Sequence, residues 1–184
     1  MMHEELIEER RRLGLDKRDE VWDGVIHMVP SASRGHQRIQ LRLLEVLLPI
    51  VRRRHLEMFL DFDLMDPDKG EKDYRQPDIT IVDPARTTER ATQRGAHVAI
   101  EILSPYDESR NKIGFYVKQQ VQEIWLLDAR SGTIEVYAGA KPVVARDGAV
   151  RADALGLELH IDGEHLVIRD GADEHRVDLR NVPI

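Results

Sequence analysis

The period of the apolar positions changes along the chain, and each period predicts an element. The segment at 21–29, VWDGVIHMV, is typical of two short strands joined by a turn at Asp23-Gly24, which predicts a hairpin. A polar stretch follows, and then five apolar residues recur at helical spacing: Ile39, Leu43, Val46, Leu47 and Ile50. They predict the first long helix, which is expected either to kink at Pro49 or to end just before it.

The middle of the chain alternates strands with a second helix. Strands are predicted at 58–66, 76–82, 97–104, 123–128 and 133–137, and a helix at 107–121. The strand at 97–104 is apolar from Val98 to Leu103 except at Glu101, which is typical of a central strand covered on both faces. Later in the chain the pattern weakens to the short strand-like pieces LELHI, HLVIR and RVDL. This order predicts an α/β fold in which a mixed β-sheet is flanked by the two helices, with additional C-terminal strands.

Length and composition favour one folded domain. The 184 residues suffice for a single compact domain over 1–184 and are awkward to divide into two with separate cores. Hydrophobic residues make up 41% and charged residues 33%, so a core is expected rather than disorder. The charged first twenty residues predict a short helix at most and offer no signal peptide, and no run approaches the roughly 20 apolar residues that span a bilayer. We therefore expect a cytoplasmic protein without a membrane partner.

Charge and the lack of cysteine restrict the ligands that the chain can bind. Without cysteine, a metal ion would need Asp, Glu, His or backbone oxygen, which favours hard cations. The formal net charge of −7 argues against general nucleic-acid binding, because that binding relies on Lys and Arg at the phosphates. Arg34, Arg38 and Arg42, four residues apart on the predicted helix, form a local face that could contact nucleic acid. A solvated charged face explains the same spacing.

Glu101 and Asp78 are the candidate metal ligands. An ionised carboxylate inside an apolar strand is costly unless it is paired, protonated or bound to a cation. Asp78 follows Pro77 near the start of the preceding strand, and if the two strands are neighbours, both carboxylates project from one face of the sheet. Two carboxylates that lie so near to each other repel unless a cation such as Mg²⁺ or Mn²⁺ lies between them. The alternatives are an edge position or an arginine partner for Glu101 and an ordinary strand end for Asp78.

Lys112 and Tyr116 complete the candidate catalytic set. They lie one helical turn apart on the predicted helix that follows the Glu101 strand, so their side chains share a face. A lysine near a metal-bound water can orient that nucleophile and stabilise the negative charge of the transition state. Tyr116 would support the lysine or a phosphate. An ordinary surface lysine is the alternative for Lys112.

Five segments in order carry a resemblance to a known family: PDITIV, VAIEILSP, NKIGFY, VQEIWLLD and TIEVY, with WDGVIHMVPSAS and His36 upstream. Over about residues 20–160 the chain resembles the Uma-type restriction endonuclease family, within the PD-(D/E)xK nuclease superfamily. The resemblance implies a restriction-endonuclease-like core, Mg²⁺-dependent phosphodiester cleavage and frequent homodimerisation. It matches Asp78 and Glu101 to the acids of the motif, and Lys112 to a lysine that has moved from the strand to the next helix.

The chain departs from the family pattern in two places. The superfamily lysine lies two residues after the acid, where this chain has Leu103. Family members often have a further Glu in the hairpin near Val25 or Ile26, where this chain has none. Glu45 could substitute as an outer metal ligand, or could be a solvated helix residue. His36 resembles a recurring family histidine that could approach the metal or a phosphate, or could hydrogen-bond at the helix start.

Two hypotheses of different classes follow. The first is a nuclease that uses Mg²⁺ or Mn²⁺ to cleave nucleic acid, with DNA as the expected substrate. The second is a catalytically inactive module on the same fold that binds nucleic acid or a protein. A hydrolase of another phosphate compound is a weaker third hypothesis, since a site of carboxylates, metal and lysine does not identify its substrate.

Overall fold

The structure, a computed structural model, describes residues 2–14, 16–105 and 108–180. The helices found there are α1 (Met2–Arg12), α2 (Arg34–Arg53) and α3 (Ser109–Lys118). The strands of the N-terminal half are β1 (Glu20–Trp22), β2 (Val25–His27), β3 (Glu57–Leu60), β4 (Asp63–Met65), β5 (Tyr74–Arg75), β6 (Ile79–Val82) and β7 (Ala91–Thr92). The later strands are β8 (Val98–Ile102), β9 (Glu123–Asp128), β10 (Thr133–Ala138), β11 (Lys141–Pro142), β12 (Val150–Ala152), β13 (Leu157–Asp162), β14 (His165–Asp170) and β15 (Asp173–Asp178).

A mixed sheet with the strand order β11-β10-β9-β8-β6-β3 forms the centre of the fold. β8 runs parallel to β9 and antiparallel to β6, so the sheet is mixed as predicted. All five residues of β8 are buried, because the strand has a neighbour on each side and a covered surface on each face. The predicted central strand and the predicted α/β class are therefore confirmed.

Alternate residues of β8 define the two faces of this sheet. Ile100 belongs to a core that includes Leu43 and Leu47 of α2 together with strands of the C-terminal sheet. Ala99 belongs to a second core with Phe115 and Tyr116 of α3. The two predicted helices thus flank the sheet, one on each face. Glu101 is two residues after Ala99 in the strand, so its side chain lies on the same face of the sheet, the face that α3 covers.

The N-terminal hairpin is confirmed. β1 and β2 pair antiparallel through the turn at Asp23 and Gly24, whose φ values of 49° and 87° are those that such a tight turn requires. The register places Glu20 opposite His27. The hairpin continues into a second sheet with the order β2-β1-β5-β4-β7, and this sheet borders the cleft described below.

Three predicted boundaries were wrong, and one of the two alternatives left open at Pro49 is excluded. α2 does not end before Pro49 but continues to Arg53. The predicted strand at 58–66 is two strands, β3 and β4, which belong to different sheets because the chain turns at Asp61, where φ is 48°. The strand at 76–82 begins only at Ile79, since Pro77 has no N–H to donate to a ladder. The second helix is shorter than predicted, spanning 109–118, and Asp107 lies outside the described residues.

The C-terminal strands form an antiparallel sheet, β12-β13-β14-β15, that packs against α2 in the first core. Arginines of α2 and its C-terminus hold the two together. Arg42 donates to the carbonyls of Asp178 and Arg180 at 2.8 and 2.9 Å. Arg53 and Arg54 donate to the carboxylate of Asp170 at 2.6 to 3.1 Å. No α-helix of the described residues is long and apolar enough to cross a membrane.

Candidate active site

Asp78 and Glu101 face one another at the edge of a cleft of about 580 Å³ that both residues line. The pairing of Ile79 with Ile100 in the antiparallel ladder between β6 and β8 places Asp78, one residue earlier, opposite Glu101. The two side chains therefore share a sheet face, which joint binding of one metal ion requires. Both are buried, with exposed fractions of 7% and 3%. Their nearness is an electrostatic cost that the fold has to offset.

Hydrogen bonds fix the orientation of Asp78. Its Oδ1 lies 2.9 Å from Nε2 of His36, and its Oδ2 accepts the backbone N–H of Ile102 at 2.7 Å. Gln40, one turn after His36 on α2, donates to the Asp78 carbonyl at 2.8 Å. Ser33 caps the helix by accepting the His36 N–H at 3.2 Å, which positions the first turn of α2 at the cleft. Burial lowers the His36 pKa, but the hydrogen bond to Asp78 and the negative charges of Asp78 and Asp61 together outweigh it, so the pKa is raised.

Glu101 is held by three side chains of α3. The hydroxyl of Tyr116 and the ammonium of Lys112 both donate to Oε1, the ammonium at 3.1 Å. The Ser109 hydroxyl donates to Oε2 at 3.3 Å. Burial raises the pKa of Glu101 to about 7, although Lys112 acts in the opposite direction, and burial likewise raises the Tyr116 pKa. The predicted pair of Lys112 and Tyr116 does share a helix face, and that face is turned toward Glu101.

Glu20 is the functional candidate that sequence reasoning missed. Its Oε1 accepts from Lys112 at 2.8 Å and from the Gln76 N–H at 2.9 Å, and its Oε2 accepts from the Trp22 indole at 2.7 Å. It is 1% exposed. The hairpin does contribute a glutamate, but from β1, opposite His27, and not near Val25 or Ile26 where family members led us to expect it. The sequence signal that could have identified Glu20 is its position two residues before Trp22, since alternate residues of a strand share a face.

The cleft holds more buried carboxylates than Lys112 can neutralise. Lys112 lies between Glu20 and Glu101, and their attraction raises its pKa although burial opposes the charge. Asp78 adds a third carboxylate. Arg18 also lines the cleft, but its guanidinium is 2.7 Å from Asp61 and 3.9 Å from Asp78. The interior of the cleft is thus acidic and suited to a cation.

Other predicted residues are not brought into the cleft. Glu45 is exposed on α2 and is not among the residues that line it. Arg34 and Arg38 do not line it either. Arg42 is committed to the carbonyls of the C-terminal sheet, so it does not form a free basic face with the other two. His36, in contrast, reaches Asp78 directly.

The donor chemistry of the cleft fits a divalent ion. No cluster of three or more His, Asp or Glu side chains arranged to hold a metal ion occurs among the described residues. Mg²⁺, however, commonly takes one or two carboxylates and completes its shell with water and substrate oxygens. Asp78 and Glu101 could supply those two carboxylates, and an ion there would relieve the repulsion that helps to keep the Glu101 pKa high.

The mixed sheet, its flanking helices and the paired carboxylates define a restriction-endonuclease-like fold. Residues 5–164 match the family model described as "Uma2: Putative restriction endonuclease", and the chain belongs to this family. The fold is similar to that of a crystal structure described as "a putative nuclease belonging to DUF820" from Anabaena variabilis. The TM-score is 0.61 and the identity 22%, over 75% of this chain and 83% of that one. Among curated proteins, none matches.

Proposed function

We propose that the chain is a divalent-metal-dependent nuclease that hydrolyses phosphodiester bonds of nucleic acid, with DNA as the substrate. The observation that carries this proposal is the buried pair of Asp78 and Glu101, opposed across two strands, with the Lys112 ammonium 3.1 Å from Glu101 at the edge of a cleft. Membership of the family described as "Putative restriction endonuclease" supports it. The family resemblance also implies a homodimer, which sedimentation of the full chain would test.

In this proposal Asp78 and Glu101 hold Mg²⁺ or Mn²⁺. When bound, such an ion polarises a phosphoryl oxygen and acidifies a water, which is the chemistry of metal-dependent nucleases. His36 and the Ile102 N–H orient Asp78, and Tyr116 orients Glu101, so each carboxylate is preorganised. Lys112 places a positive charge where negative charge develops on the phosphate.

Cleavage of supercoiled plasmid tests the proposal. Wild type with Mg²⁺ or Mn²⁺ should convert the plasmid to nicked and linear forms, and a chelator should stop the reaction. Glu101→Gln keeps the size of the side chain but removes its charge, so the rate should fall by about a hundredfold or more. Glu158→Gln, an exposed change on β13, should cleave like wild type.

One observation favours an inactive binding module as the second candidate. All four carboxylate oxygens of Asp78 and Glu101 already have a hydrogen-bond partner, and Lys112 contacts two carboxylates, so the network is satisfied without a ligand. If wild type cleaves neither single- nor double-stranded DNA or RNA with Mg²⁺, Mn²⁺ or Co²⁺, the nuclease proposal is wrong and this candidate replaces it.

A further inference from the structure

The geometry points to a stacking site for an unpaired nucleobase on the imidazole of His27, at the mouth of the candidate active site. This inference rests on the proposed function, because it names the form of nucleic acid that the cleft takes. His27 and Trp22 both line the cleft with Glu101 and Lys112.

The hairpin presents these aromatic rings beside the carboxylates. Glu20 and Trp22 are two residues apart on β1 and share a face, and His27 is opposite Glu20 on β2. The ring centroids of Trp22 and His27 lie 3.9 Å apart with an angle of 15° between the planes, so the rings are stacked. β1 therefore brings Glu20 to Lys112 and also places the stacked rings in the same cleft as Lys112.

Arg75 packs against the Trp22 ring and restricts its movement. The guanidinium of Arg75 lies 4.5 Å from the Trp22 ring centroid and 4.2 Å from that of Phe115, between the two rings. Arg75 is 5% exposed and donates to Asp73 at 2.9 Å and to the Val21 carbonyl at 2.8 Å. A preorganised surface of this kind binds a flat ligand with little loss of conformational freedom.

His27 is the outermost ring of this stack. One face of its imidazole is against Trp22, and its side chain is 28% exposed where it lines the cleft. Its Nδ1 lies 3.5 Å from the exposed carboxylate of Glu108, a contact in addition to the stacking of the ring. Since Trp22 covers one face of the imidazole, we expect a further aromatic plane to extend the stack on the other face.

An unpaired base is the ligand that fits this site. Bases inside a duplex are covered by their neighbours on both faces, whereas a base of a single strand can stack on a side chain. The cleft of about 580 Å³ has the size of a small-ligand pocket. The net charge of −7 argues against affinity that rests on phosphate contacts alone, and Arg42 is committed to carbonyls, so we expect stacking to contribute to affinity.

Fluorescence anisotropy with a labelled oligothymidine tests this inference on the full chain. The probe has phosphorothioate linkages to slow cleavage, and Mg²⁺ is present to offset the acidic cleft. His27→Ala should weaken binding by roughly five- to a hundredfold, the effect of losing one stacked base. His27→Phe should bind within about threefold of wild type, because the phenyl ring can stack on a base without carrying a charge. His165→Ala, in the C-terminal sheet, is the matched control and should change nothing.

Two further ligands make the result decisive. An oligonucleotide with the same phosphates but abasic sugars should bind wild type as weakly as oligothymidine binds His27→Ala. A duplex of the same length should bind wild type more weakly than the single strand. Equal losses in His27→Phe and His27→Ala, with unchanged thermal midpoints, would mean that His27 contacts phosphate through its charge, and the inference would be wrong. Duplex binding as tight as single-strand binding would also overturn it.

The outcomes separate this inference from the nuclease proposal. If plasmid is cleaved but His27→Ala binds oligothymidine like wild type, the stacking site is wrong and the nuclease proposal stands. If His27→Ala loses binding while no divalent ion supports cleavage, the stacking site stands on a protein without nuclease activity.

Discussion

Lys112 donates a 2.8 Å hydrogen bond to Glu20, although 92 residues separate the two in the chain. The same ammonium contacts Glu101 at 3.1 Å, so one cation joins the N-terminal hairpin to the central sheet. A salt bridge this buried contributes little when intact but is costly to break, because the remaining charge is left without a partner. The candidate active site and the stability of the fold therefore depend on the same residues.

The first prediction concerns Glu20. Glu20→Ala leaves Lys112 with one carboxylate fewer and leaves the Trp22 indole and the Gln76 N–H without their acceptor. The free energy of unfolding should fall by about 3–5 kcal/mol, as measured by urea denaturation. Glu57→Gln, an exposed change on β3, should stay within about 0.5 kcal/mol of wild type. A loss of under about 1 kcal/mol in Glu20→Ala would contradict the contact network.

The second prediction concerns metal binding. An ion bound by Asp78 and Glu101 relieves their repulsion and binds only the folded state. Mg²⁺ at about 100 times its Kd should therefore raise the thermal midpoint by roughly 5–10 °C. The rise should vanish in the double variant Asp78→Asn with Glu101→Gln. The matched control is Asp68→Asn with Glu71→Gln, two exposed acids, which should keep it. Equal rises in all three proteins would place the ion elsewhere.

The third prediction separates metal binding from turnover. Lys112→Met should reduce cleavage by about a hundredfold or more while the Mg²⁺-dependent rise in thermal midpoint persists. Its midpoint without metal should fall, because Glu20 and Glu101 then share no cation. Lys141→Met, at an exposed position, should behave like wild type. Wild-type cleavage by Lys112→Met would exclude this lysine and make Arg18, which also lines the cleft, the candidate.

The fourth prediction concerns acid stability. Hydrogen bonds from Arg54 and Arg53 lower the pKa of Asp170 to about 2, below the value of about 3.9 in an unfolded chain. Because the folded-state pKa is lowered, this contribution is complete above about pH 4 and is lost as the pH falls through about 2.

Asp170→Asn should therefore reduce the free energy of unfolding by about 1–2 kcal/mol at neutral pH, measured by denaturation across pH. The difference from wild type should disappear near pH 2. Asp173→Asn, an exposed neighbour in the chain, is the control and should show no such convergence. A difference that stays constant down to pH 2 would mean that packing, and not charge, is responsible.

Local patterns in the sequence determined much of the fold. The turn at Asp23-Gly24 follows from the backbone geometry that a short hairpin demands, and α2 follows from apolar residues at helical spacing. The strand around Glu101 follows from an apolar run too short for a helix. The polarity of Glu101 within that run identified it as a candidate, because burial of a carboxylate requires a partner.

Only the tertiary structure decided which distant residues meet. No local pattern indicates that Glu20 contacts Lys112, since side-chain contacts between hairpin and helix depend on how the sheets pack. The same holds for Arg42, whose spacing predicted a basic face and whose guanidinium instead binds carbonyls of the C-terminal sheet. The break at Asp61 depended on a backbone conformation that its residue type permits but does not dictate. Sequence periodicity reports which residues are buried locally, whereas the partner of each buried charge is set by the packing of the whole chain.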